Sequence, residues 1–147
     1  MKKLFKKILV TLLLINLSPI CTIAANDENL NKFPNEEVVI ERETIGKKGN
    51  DFFIVKDLNG KILFLSKVTD DDLYAAAALN VRIIPTTEST PARTIEINTP
   101  VKRVGKSYCG WDIILEDEEY YFVWSEYLTD TPVELPIVEE YDYSYDY

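Results

Sequence analysis

The residue type that carries most hydrolytic chemistry is missing: the 147 residues include no histidine. Zinc hydrolases take ligands from imidazole, and serine and cysteine hydrolases use it as the base that activates the nucleophile, so those chemistries are excluded. Carboxylates are abundant, and a glycosidase needs two of them on either side of a sugar bond. The densest run, Glu116-Asp117-Glu118-Glu119, is contiguous and lies between two apolar stretches, as a solvated hairpin tip would. No catalytic residue, metal ligand or cofactor site is assigned, and the chain reads as a non-enzyme.

What remains for recognition is aromatic. Tyr108, Trp111, Phe122 and Trp124 fall near one hairpin, and Phe122 and Trp124, two apart on a strand, share a face. Aromatic faces stack on sugars, peptides or proline, which suits an acidic protein with an uncharged ligand. The same rings could simply fill a small core. Arg82 is the fifth candidate for ligand contact, with a loop carbonyl or an internal carboxylate as its other possible partner.

The elements that must position these residues begin after an export signal. Residues 1–25 place Lys2, Lys3, Lys6 and Lys7 before an apolar run and end on Ala24 and Ala25, the pattern of a cleaved secretory signal. The run is shorter than the roughly 20 residues a membrane-spanning helix needs, so no stable transmembrane anchor is expected. Cleavage takes the net charge from −9 to −13. Nucleic acid and anionic polymers, which bind cationic surfaces, are therefore disfavoured as partners. Cleavage also removes Cys21, leaving Cys109 as a lone thiol; Ile20 before Cys21 is unlike the small residue of a lipoprotein signal.

Residues 26–37 form a polar leader, and from Val38 the chain reads as short β-rich runs. Asp51 to Val55 and Lys61 to Leu65 flank Asn59-Gly60, a dipeptide suited to a tight hairpin turn. Asp70-Asp71-Asp72 reads as a connector, and Ala75 to Ala78 as a strand entry into Leu79-Asn80-Val81-Arg82. Strands follow at 94–98 and 101–105, then a second hairpin carries Trp111 on one arm and Trp124 on the other. Residues 131–147 form an acidic, tyrosine-rich tail with the composition of a disordered segment.

Shifted by 59 positions, residues 41–66 overlie 100–125 without a gap, matching Gly46 to Gly105, Ile54 to Ile113 and Ser66 to Ser125. Residues 26–72 thus hold a partial copy of the unit at 73–130, too small to fold alone. The expected fold is all-β: a small barrel with this β-hairpin repeat docked on it.

Residues 79–130 resemble the bacterial SH3-like (SH3b) domain family. The resemblance rests on Leu79-Asn80-Val81-Arg82 with Pro85, residues 101–105, Gly110-Trp111, and Val123 with Ser125, Tyr127 and Leu128. The chain departs from the family at Ile83-Ile84, where Ser-Gly is usual, and at Glu118-Glu119, where Asn-Gly is usual. The resemblance implies an SH3-like barrel, secreted or held in the cell envelope, that binds peptidoglycan or its peptides without catalysis. The alternative is an extracellular protein-interaction or adhesion module, its partner an envelope protein.

Overall fold

A computed structural model describes residues 37–47 and 49–137. Residues 1–36, which hold the expected signal and most of the expected leader, and residues 138–147 of the expected tail lie outside them. The described chain is all-β apart from one 3-10 turn at Ser125–Tyr127. In order, the strands are β1 (Val39–Thr44), β2 (Asp51–Lys56), β3 (Ile62–Ala75), β4 (Leu79–Val81), β5 (Arg93–Ile95), β6 (Pro100–Ser107), β7 (Trp111–Glu116), β8 (Glu119–Trp124) and β9 (Leu128–Thr129).

One antiparallel sheet runs β1-β2-β3-β6-β7-β8, with β9 added to the far end of β3, and β4-β5 form a small second sheet. The large sheet curls into a half-barrel. It is two three-stranded meanders, β1–β3 and β6–β8, joined where β3 pairs with β6. The partial repeat is docked by strand pairing and by burial together: Phe53, Val55, Leu63 and Phe64 share one apolar cluster with Trp111, Ile113 and Phe122. Positions 59 apart agree in burial at Ile54 and Ile113, Val55 and Ile114, Leu63 and Phe122, and Phe64 and Val123.

A second cluster joins Ala75, Leu79, Val81, Ile95 and Val101 to Ile114 and Val123. Adjacent residues of β7 and β8 therefore face different cores, Ile113 and Phe122 one way and Ile114 and Val123 the other. Side chains alternate across a strand, so the β7–β8 hairpin is a partition with apolar material on both faces. That explains its near-continuous apolar sequence, which a half-solvated strand would not carry.

Three local expectations change. Asp70-Asp71-Asp72 is not a connector but the middle of the 14-residue β3, whose two halves pair with β6 across an irregularity between Val68 and Asp71. The charges are tolerated there because Lys102 and Arg103 of β6 lie opposite. Only Ala75 of the alanine run is buried; Ala76 and Ala77 form a bend. The β2–β3 turn is centred on Leu58-Asn59-Gly60, because Asp57 pairs with Lys61 and its carboxylate accepts from the amides of Asn59 and Lys61 at 2.9 and 2.8 Å. Gly60 alone of those three has positive φ, +82°, the geometry of a type I turn followed by a left-handed residue.

Cys109 is disulfide-bonded rather than the lone thiol expected; the chain's other cysteine, Cys21, lies outside the described residues. Among the described residues no helix is long and apolar enough to cross a membrane.

Candidate functional site

The β7–β8 hairpin brings Trp111, Phe122 and Trp124 together, as the spacing implies, but mainly inside. Trp111 and Trp124 are directly paired across the strands, and their rings meet edge to face with centroids 5.0 Å apart. Trp111 is buried and Phe122 fully so, with Phe64 edge-on to Phe122 at 6.0 Å. The correction has a simple cause: the face that Phe122 and Trp124 share is the one the first meander covers. Trp124 is half-buried against that cluster. Its ring lies over Gly110, where an added Cβ would sit 2.6 Å from Cη2, so Gly110 is required for room as well as for its φ of +84°.

Tyr108 is the exception, 85% exposed in the bend between β6 and β7. That bend is held by Ser107, whose Oγ donates to the carbonyl of Trp111 and accepts from the amide of Cys109 at 3.1 Å. The bend therefore presents the Tyr108 ring to solvent, two residues before the Gly110 over which the Trp124 ring lies.

Arg82 is buried, and its Nη1 donates to the carbonyl of Ser89, tying the loop after β4 back onto the barrel. Burial pulls its guanidinium below the usual arginine range. Its backbone exchanges two hydrogen bonds with Phe122, at 2.9 and 2.8 Å, closing the outer edge of β8. The loop-carbonyl partner is the one observed.

Three features were not legible in the sequence. Arg103 lies between two carboxylates, donating from Nε to Asp71 at 2.9 Å and from Nη1 to Asp112 at 3.0 Å. Asp112 is fully buried and also accepts from the amide of Ser107 at 3.2 Å. Burial pushes the Asp71 carboxyl up, but hydrogen bonds from Arg103 and Thr69 outweigh it and hold the pKa below the ordinary value. At the offset of 59 positions Asp112 falls opposite Phe53, so the signal was a polar residue in a buried repeat position.

The second feature is a groove of about 290 Å³ where β5 crosses β3, β6 and β7. Its walls include Tyr74, Ile95, Val101 and Leu115, and Arg93 paired with Glu116 and Lys102 paired with Asp72 stand among its lining. The third is Asn98, at φ +64°, whose side-chain amide accepts from the N–H of Val133 at 2.7 Å and donates to its carbonyl at 2.9 Å. An amide pairing both backbone groups of one residue acts as a short length of strand. It fixes the chain just beyond β9.

Among the described residues no group of three histidine, cysteine, aspartate or glutamate side chains is placed to hold a metal. Tyr108 is the most exposed of the candidate aromatics, and Arg103 joins the fully buried Asp112 to the partly exposed Asp71. Compared with known proteins, the chain matches no family model, no curated protein and no solved structure. What the fold itself defines is a small all-β half-barrel carrying an extra meander.

Proposed function

We propose that the chain is an exported, non-catalytic SH3-like binding module of the cell envelope that recognises peptidoglycan or its peptides. The single observation that supports this most is the Tyr108 bend: an aromatic ring 85% exposed, on a loop held by the Ser107 hydrogen bonds to Trp111 and Cys109. A rigid loop loses little entropy on binding, and an exposed ring can stack on an uncharged sugar or peptide in spite of the protein's negative charge. Candidate contacts are Tyr108 and the half-buried Trp124; Trp111, Phe122 and Arg82 lie within the fold.

The test is co-sedimentation of the purified protein with washed sacculi. Tyr108→Ala should leave the thermal midpoint within about 1 °C, because surface substitutions change stability little, and weaken sacculus binding by about fivefold or more. Retention of full binding by this variant removes the bend from the site. A wild-type protein that stays in the supernatant leaves the protein-interaction reading as the better one.

A further inference from the structure

The chain leaves the barrel through a fixed point and then displays apolar side chains to solvent. After β9, the Asn98 amide clamps Val133 by its two backbone hydrogen bonds. From the clamp onward the apolar side chains are exposed among the described residues: 36% at Val133, 56% at Leu135 and 90% at Ile137. Pro132 and Pro136 fix their own φ near −65° and bias Thr131 and Leu135 toward extended backbone. Val133, Leu135 and Ile137 are thus three exposed apolar side chains on an extended segment outside the strands, interrupted only by Glu134 and Pro136.

We propose that residues 132–137 are a docking peptide, presented by the Asn98 clamp to a protein partner whose apolar groove is edged by lysine or arginine. The groove follows from the backbone. Val133 already spends its N–H and C=O on Asn98, and Pro136 has no N–H, so the segment cannot supply the regular ladder that addition of a strand to a sheet requires. Recognition must run through the side chains. The basic edge follows from charge: residues 132–147 contain Glu134, Glu139, Glu140, Asp142 and Asp146 and no lysine or arginine. The same charge repels anionic phospholipid and a second copy of this acidic chain. Pinning the segment at one end lowers the ordering entropy of binding, which gives the clamp a use beyond stability.

The proposal goes beyond the wall-binding reading and does not depend on it; sacculus sedimentation tests that reading alone. Here a photo-crosslinking amino acid replaces Ile137 in the full chain, expressed in the cells that make it, with a control replacement at the exposed Lys47 between β1 and β2. The expected result is a different protein crosslinked from position 137 and not from 47. That protein, purified, should bind the double variant Leu135→Asp, Ile137→Asp about tenfold more weakly than wild type, and should lose affinity for wild type as salt rises. The double variant should keep the wild-type thermal midpoint, which separates lost docking from lost folding. Four results overturn the proposal. They are no crosslink specific to position 137, a captured protein that binds the double variant equally, a crosslink only to a second copy, or flotation of the full chain with phosphatidylglycerol vesicles that the double variant abolishes.

Discussion

The two meanders have the same strand order and nearly the same spacing, yet they solve opposite problems. The first, β1–β3, faces one core with Phe53, Val55, Leu63 and Phe64 and leaves β1 as the outer strand of the sheet. The second, β6–β8, is enclosed on both faces and has its outer edge closed by the Arg82 to Phe122 bridge. Where the first carries the buried ring of Phe53, the second carries the buried carboxylate of Asp112 held by Arg103. The lesson is that a repeat can keep its backbone and exchange roles: one copy became the cover, the other the partition. Covering that partition is what turned its aromatics from a surface into a core.

The largest effect should come from separating the copies. A chain beginning at Asp72 loses Phe53, Val55, Leu63 and Phe64 and keeps only Asp72 to Ala75 of the 14-residue β3, exposing Trp111, Ile113 and Phe122 at once. Losing even one such aromatic costs about 3 to 5 kcal/mol, a large share of the roughly 5 to 15 kcal/mol available to a small domain. The shortened chain should show no cooperative transition in urea by tryptophan fluorescence. A normal transition would mean that the second meander folds alone and that the cover is an accessory.

Next in size is the exchange of ring for ion pair. Asp112→Ala removes a fully buried acceptor, leaves the Ser107 amide unpaired and takes from Arg103 the better shielded of its two carboxylates. Breaking a buried pair in this way typically costs about 3 to 5 kcal/mol. Urea midpoints measure it directly, and a loss under about 1 kcal/mol would show that Asp71 alone satisfies Arg103.

Acid should expose the outer half of the same network. The folded-state pKa of Asp71 is lowered, so its contribution is fully present above the unfolded value near 3.8 and is lost as pH falls through the lower folded one. Between pH 5 and about 2 the wild-type thermal midpoint should therefore drop more steeply than that of Asp71→Asn, which has no proton to take up there. Parallel acid limbs for the two proteins would remove Asp71 from the pH dependence.

Much of this architecture was legible, because it rests on local chemistry that sequence displays: apolar runs of strand length, a turn dipeptide, and a copy 59 residues away. The all-β fold and the docking of the partial repeat followed from those. The site was less legible. Periodicity correctly put Phe122 and Trp124 on one face, but which face is covered depends on how the sheet curls, a long-range property that no spacing records. Asp112 hid for a similar reason: a buried carboxylate is visible only once Arg103 is known to lie beside it. The acidic run of β3 was misread because three aspartates have poor strand propensity, which cross-strand Lys102 and Arg103 override.

The smallest effect, and the finest point of comparison, is in the two hairpin tips. At β2–β3 the left-handed residue is Gly60, φ +82°, and at β7–β8 a two-residue turn places Asp117 at +48° and Glu118 at +66° between the paired Glu116 and Glu119. Both residues positive is the arrangement that favours Asn-Gly, and a residue with a Cβ pays about 1 to 2 kcal/mol to stay left-handed. Aspartate tolerates the conformation better than glutamate, so the strain is concentrated at Glu118. Glu118→Gly should therefore raise stability by about 1 kcal/mol, reduced somewhat because glycine also loosens the unfolded chain. Removing one of four clustered acids acts in the same direction, so Glu118→Gln serves as the control: it lifts the charge but leaves the Cβ. Gly60→Ala should do the reverse at the other tip, losing about 1 kcal/mol although nothing lies within 4 Å of the added methyl, because its φ alone opposes the change. Calorimetric midpoints of the three variants decide it. If Glu118→Gly and Glu118→Gln gain equally, the tip is limited by charge repulsion, and the two turns differ in electrostatics rather than in backbone strain.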